Sequence, residues 1–331
     1  MAKTSAKTGL DRTLALEIVR VTEATAAAAA RLRGRGDEAA ADQAAAAAMH
    51  RELALLPMRG VVVVGEGEES ETPLLYIGET IGAGPKSRTE VDIAVDPLEG
   101  ATLCAKALPN ALAVVAIAER GSLLKVPAIY MDKIAIGPGY EDGLVDLDAP
   151  AADNLARLAK AKGVKVSAIT ACILDRPRHG KLIEEVRAAG AAVRLIGDGD
   201  IAGVIHTAEP QDTGIDIYMG IGGAPEGVLA AAALACIGGQ MQGRLVSPNG
   251  QQRERARAAG ISDLNRKYTM HDMASGDVSF AATGVTDGSL LEGVRFTPGG
   301  IFTHTVVMRA ATRTVRWIRT EHQDTSKFDL S

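Results

Sequence analysis

VDIAVDPLEG, residues 91–100, carries the reading of the whole chain. Val91, Ile93 and Val95 alternate with small or acidic residues in a strand pattern that Pro97 is expected to end, leaving two carboxylates, Asp96 and Glu99, in the turn. Hard divalent cations such as Mg²⁺ and Mn²⁺ take several carboxylate oxygens from rigid elements, and a strand end followed by a Pro turn holds two of them together. An ordinary strand with an acidic turn has the same appearance, and this segment alone does not choose.

Outward from it, more carboxylates occupy informative places. Val61 to Val64 form a short apolar strand that runs straight into GEGEESE, where Glu66 and Glu68 face one way in an extended chain and the glycines permit close approach to an ion. Upstream, Leu14, Ile18, Val21, Ala28 and Leu32 predict a long amphipathic helix with Asp11 as N-cap and Gly34 as stop. After GRGD, residues 34–37, a second helix turns Ala46, Met49, Leu53 and Leu56 inward, and Asp42 lies on that same face as a first-turn charge or a ligand. Downstream, the strand IDIYM (215–219) leads into GIGGAPEGV, with Pro225 at the predicted first helical position and Glu226 in the first turn. Backbone donors there suit a phosphate, and Glu226 is equally explained as a favourable charge near a helix start. Together Asp42, Glu66, Asp96, Glu99 and Glu226 form a set able to clamp two divalent cations, as in metal-dependent phosphoryl hydrolysis. Arg176 and Arg178, in DRPRH, would supply the anion-binding counterpart.

Composition narrows the alternatives. With 331 residues, a net charge of −5 and only 3% aromatics, the chain has neither the basic footprint nor the stacking platforms of a nucleic-acid binder. Cys104, Cys172 and Cys236 each sit in an apolar stretch, which predicts buried thiols in a reducing compartment. The first residues lack an apolar signal core, and no uncharged run is long enough to span a bilayer, so a cytoplasmic protein without a membrane partner is expected. Residues 137–154 are rich in Gly, Asp and Pro, and an alternating helix and strand pattern follows them. The division expected from this is an N-terminal metal-binding α/β domain, 1–145, and a C-terminal substrate-binding α/β domain, 146–331.

The motifs in order, EIVRVTEA from Glu17, GRGD, GEGE, PLLYIGE, VDIAVDPLEG, NALAVVAI, YMDKIAIGPG, RPRH, DGD, YMGIGGAPEGV, MQGRL, SFAATGVTDGSLLEGV and TRTVRWI, span nearly all of the chain. In them the chain resembles the class II (GlpX-type) fructose-1,6-bisphosphatases. That resemblance implies an α/β, layered αβαβα fold of the lithium-sensitive sugar-phosphatase kind, Mg²⁺ or Mn²⁺, a sugar bisphosphate that loses its 1-phosphate, and a homodimer or homotetramer. It implies metal ligation by Asp42, Glu66, Asp96, Glu99 and Glu226. It places substrate contacts at Glu99, Gly100, Ala101, Tyr130, Arg176, Arg178, Asp198, Asp200 and Gly223.

The departures from that pattern fall in the catalytic region, Glu38, Glu68, Ser70 and Ala101. The family's Asp-Pro-x-Glu-Gly-Thr ends here in Ala101, which has no hydroxyl to orient a water. An Asp after Gly-Glu-Gly-Glu is Ser70, a Lys after GRGD is Glu38, and Arg176 stands where Lys is common. Removing a positioned acid-base group costs on the order of 10² to 10⁴ in rate, so weak or altered hydrolysis is expected. A relocated base such as Thr102, Glu68 or Glu69 is one reading; non-hydrolytic isomerisation or epimerisation and silent ligand binding are the others.

Overall fold

The computed structural model describes residues 10–83, 89–246 and 249–328; the N-terminal segment read above for a signal lies outside these except for its last few residues. Two helices open the fold. α1 (Leu14–Ala30) begins two residues later than expected, because Asp11 caps the turn before it by accepting Thr13 N–H at 3.0 Å. α2 (Glu38–Leu55) is capped by Asp37, whose Oδ1 accepts Ala40 N–H at 2.9 Å.

The first sheet, with eight strands among the described residues, runs β12 (Arg295–Thr297), β13 (Gly300–Arg309), β11 (Ser279–Gly284), β4 (Leu112–Glu119), β3 (Glu90–Glu99), β1 (Arg59–Val64) and β2 (Thr80–Ile81), and β14 (Thr314–His322) also pairs with β13. The second runs β10 (Tyr268–Thr269), β9 (Gln240–Val246), β5 (Tyr130–Ile136), β8 (Ile217–Gly223), β6 (Thr170–Leu174) and β7 (Ala192–Ile196). The sheets therefore do not divide at residue 145. β5 precedes that point and belongs to the second sheet, whereas β11 to β14 come from the far end of the chain and complete the first.

Side-chain alternation stacks the layers. Ile93 and Val95 of β3 pack with Ile18 of α1 and Met49 of α2, while Ala94 faces the other way. On that second side lies α8 (Ala224–Ile237), with Val228 to Leu234 all buried, between Ala94 and Val114 of the first sheet and Met131 and Ala135 of the second. A helix apolar on every side suits this central place. α6 (Asp200–Ile205) shares the middle layer, where Ile201 and Val204 join the same cluster. Ile134, Ile173 and Ile217 look outward from the second sheet onto α4 (Ala151–Lys162) and α5 (Gly180–Ala188) through Leu155, Leu158 and Val186. The order is helix, sheet, helix, sheet, helix, the αβαβα layering. No helix of the described residues is long and apolar enough to cross a membrane.

One expectation at the central segment is corrected. β3 does not stop at Pro97 but continues to Glu99, and its register against β4 shifts between Asp96 and Glu99. A bulge is one of the few places where a strand accepts proline, and it re-aims the side chains around it.

Candidate active site and metal centre

The bulge turns Asp96 and Glu99 to a common point, which Glu226 reaches from the first turn of α8. One ligand oxygen from each of these three residues lies within 4.8 Å of the others. Glu66 approaches from the loop after β1, and the Asp42 carboxyl, on the inward face of α2, is hydrogen-bonded to it. Asp96 and Glu99 are hydrogen-bonded to each other as well. Three of the five carboxylates singled out in the sequence thus meet within ligand distance, Glu66 and Asp42 lie near enough to feel their charge, and the acidity of all five responds to crowding and burial. Burial, then the charges of Asp42 and Asp96, pushes Glu66 up to about 9. Burial pushes Asp96 to about 6, and Glu226 to about 7 with Asp200 as its next largest cause. Asp42 and Glu99 are raised in the same direction, again chiefly by burial.

The donor set fits a hard divalent cation. The oxygens are carboxylate oxygens from rigid elements, and Glu226 Oε2 is buried with no hydrogen-bond partner although the residue as a whole is only partly buried. The loop that brings Glu66 is itself fixed from below. Glu66 N–H donates to Leu75 O at 3.0 Å, and Glu79 accepts Leu75 N–H at 2.6 Å while meeting His50 of α2 at 2.8 Å. Leu75 is fully buried with φ at +57°, a strained backbone that this carboxylate holds in place.

Most of the residues implied as substrate contacts form a rim beside the carboxylates. Tyr130 opens β5 directly across from Gly223 of β8, its side chain 43% exposed, and the Arg178 guanidinium lies 4.9 Å from its ring centroid. Arg178 also donates to Ile221 O at 2.8 Å, and Arg176 donates to Gly197 O and pairs with Asp198 at 3.7 Å. Gly100 takes φ +84° as it caps the short α3 (Ala101–Ala105), so Ala101 follows Glu99 within one turn. Asp200 stands apart from the open rim. It is 4% exposed, and its Oδ2 accepts from Lys133 at 2.5 Å and from Tyr218 at 3.1 Å.

Of the altered positions, Glu38 is the exposed first residue of α2, one turn before Asp42. Ser70 and Glu68 are exposed in the loop beyond Glu66. The Glu68 N–H donates to Glu71, which pairs with Arg255 of α9 (Gly250–Ala258) at 2.6 Å. Behind the Gly197–Gly199 turn is a cavity of about 620 Å³ that shares Asp198 with the rim but none of the five carboxylates, so the donor chemistry and not the cavity size locates the site.

Three residues near the site escaped sequence reasoning. Lys133 had a signal, a lysine in register with Met131 and Ala135 on the buried side of β5. His179, in the quoted RPRH, is buried, donates from Nδ1 to Leu174 O at 2.8 Å and accepts Ile221 N–H at 2.8 Å, and burial lowers its pKa. Tyr218 had no signal beyond its place in an apolar strand.

The chain is 44% identical to the D-fructose 1,6-bisphosphatase class 2/sedoheptulose 1,7-bisphosphatase of Synechococcus sp. (strain JA-3-3Ab), over 95% of this chain and 96% of that one. It is 43% identical to the protein of the same description from Synechococcus elongatus, over 95% and 97%. Among solved structures, inositol monophosphatase from Anabaena (Nostoc) sp. is 15% identical with a TM-score of 0.31, covering 59% of this chain and 71% of that chain, a likeness too slight to bear on the fold. The family profile described as bacterial fructose-1,6-bisphosphatase, glpX-encoded, matches residues 12–322, and the chain belongs to that family.

Proposed function

We propose that the protein is a divalent-metal-dependent phosphatase of a ketose bisphosphate, such as fructose 1,6-bisphosphate or sedoheptulose 1,7-bisphosphate, with weakened water activation. The observation that carries this is the meeting of Asp96, Glu99 and Glu226, the last with an unpartnered buried oxygen, with Glu66 and Asp42 electrostatically coupled to them and Arg176, Arg178 and Tyr130 beside them. Asp42, Glu66, Asp96, Glu99 and Glu226 would hold Mg²⁺ or Mn²⁺. The bound ion supplies Lewis-acid stabilisation of the phosphoryl oxygens and lowers the pKa of a water.

The chain's own residues divide the remaining work. Arg176 and Arg178 bind the phosphate that is not transferred, and Tyr130 with the Gly223 backbone positions the sugar. Near Glu99 the family's threonine would orient the attacking water; Ala101 leaves that water to Thr102, the next residue of α3, or to Glu68 or Glu69 of the loop beyond Glu66. Glu38 adds negative charge where the substrate is already anionic. A cytoplasmic homodimer or homotetramer belongs to the same reading, and light scattering measures the assembly.

The test is phosphate release from a panel of sugar mono- and bisphosphates with Mg²⁺ or Mn²⁺. The wild type is run beside a variant carrying Ala101→Thr, Ser70→Asp and Glu38→Lys. Weak release by the wild type and a gain on the order of 10² or more in the variant are expected. Equal, rapid turnover by both would show that the three positions do not limit hydrolysis. A rearranged sugar without phosphate release would replace the proposal with isomerisation, and ligand-induced stabilisation without turnover would replace it with binding.

A further inference from the structure

Lys133 is 1% exposed and lies beneath the carboxylate cluster, among residues that are otherwise apolar on that side of β5. Its Nζ makes two contacts that belong to different elements. It donates to Asp200 Oδ2 at 2.5 Å, on the first residue of α6, and to Gly223 O at 2.9 Å, on the N-cap of α8. Each of these groups leads directly to a carboxylate of the cluster. The residue after Asp200, Ile201, donates its N–H to Glu99 Oε1 at 3.3 Å. Gly223 lies so close beneath Glu226 that a Cβ there would stand 1.8 Å from Oε2. Gly222 is packed just as tightly between the partners, since a Cβ on it would be 2.0 Å from Asp200 Oδ2 and 2.9 Å from Lys133 Nζ.

We infer that Lys133 is a positioning residue for the metal centre: by bridging Asp200 and the Gly223 carbonyl it sets the spacing between Glu99 and Glu226. Packing alone does not explain a charge here. A buried ion pair is weak evidence of stability, and apolar residues of similar volume often replace one without loss. What an ammonium does that a methionine cannot is hold two acceptors on two helix starts at fixed distance. Groups that orient metal ligands without touching the metal typically cost 10- to 100-fold in affinity when removed. The inference rests on the reading that the five carboxylates bind a divalent cation.

The experiment is Mn²⁺ titration of the whole protein, followed by thermal shift and by calorimetry, on wild type, Lys133→Met, the double variant Lys133→Met/Asp200→Asn, and Tyr218→Phe. Lys133→Met alone leaves the Asp200 charge buried without its cation, which destabilises the fold, so the double variant decides, because it removes both charges together. The expected result is a double variant that melts near the wild type yet needs about 10- to 100-fold more Mn²⁺ for half-saturation. Tyr218→Phe, which removes only Asp200's other donor, is expected to keep the wild-type midpoint within about threefold. A double variant with the wild-type midpoint would overturn the inference and leave the metal reading intact. An equal weakening in Tyr218→Phe would assign the effect to Asp200 alone and overturn the bridge. A wild type that does not respond to Mn²⁺ would overturn the metal reading and this inference with it.

Discussion

Glu226→Gln should make the metal-free protein more stable at alkaline pH while taking away its response to metal. Glu226 titrates near 7 in the fold against 4.5 in an unfolded chain, raised by burial and then by Asp200. A raised carboxyl contributes stability that is fully present below the unfolded value and is lost as pH rises through the folded one. The loss is about 1.4 kcal/mol per pH unit over that window, nominally about 3 kcal/mol, and closer to 2 because the residue is only partly buried. Glutamine does not ionise and escapes it. Glu66, near 9, and Glu99 are themselves raised in part by the Glu226 charge, so its removal eases their ionisation and adds to the difference between the two curves in the same direction. Urea denaturation in a chelating buffer from pH 4.5 to pH 8.5 should show that difference growing by about 2 kcal/mol in favour of the variant. Saturating Mn²⁺ should then reverse the order at pH 8, since a ligand at about 100 times its Kd stabilises the wild type by about 2.7 kcal/mol and the variant has lost a charged ligand. A difference that stays flat with pH, or a variant stabilised by Mn²⁺ as much as the wild type, would refute the argument.

Metal binding should release protons at pH 6.5, where Glu66 and Glu226 still hold theirs, and the release should shrink towards pH 9; calorimetry in buffers of different ionisation enthalpy measures it. Gly222→Ala should destabilise the fold by about 1 to 3 kcal/mol and raise the metal requirement, because its methyl group would occupy the space of Asp200 Oδ2; a melting scan with and without Mn²⁺ reads both. Arg178→Ala should raise KM for a bisphosphate by about 10- to 100-fold with a smaller change in kcat, and the effect should be weaker for a monophosphate lacking the distal group.

The legibility of the sequence varied with how local each cause was. The strand at Val91 and the inward face of α2 that carries Asp42 follow from side-chain periodicity, a property of neighbours in the chain. The ends of elements were harder. Pro97 reads as a stop, and only pairing with β4 across a bulge lets β3 run on to Glu99. Near residue 145, likewise, composition marks a turn but not which sheet each strand on either side of it joins. β11 to β14 return to the first sheet through antiparallel pairing of β11 with β4, which nothing local announces. Arg255 lies at the surface of α9, and its partner Glu71, 184 residues away in the chain, ties that helix to the loop that bears Glu66.

Charge balance explains why the site depends on both sheets. Asp96 and Glu99 come from the first sheet, and Asp42 and Glu66 come from a helix and a loop beside it. Glu226 arrives on the helix between the layers, whose N-cap continues β8 of the second sheet. The buried cation beside them, Lys133, is already paired with Asp200, so the five carboxyls keep more negative charge than the protein neutralises there. Without a metal the fold resolves this by holding protons, which is what the raised values of Glu66, Asp96 and Glu226 express. A divalent cation held by these carboxyls would neutralise the same charge at neutral pH and be bound by residues of both layers. Affinity for such an ion and alignment of the two layers would then be one property, and a change that loosens either sheet at this point would weaken the other's hold on the ion.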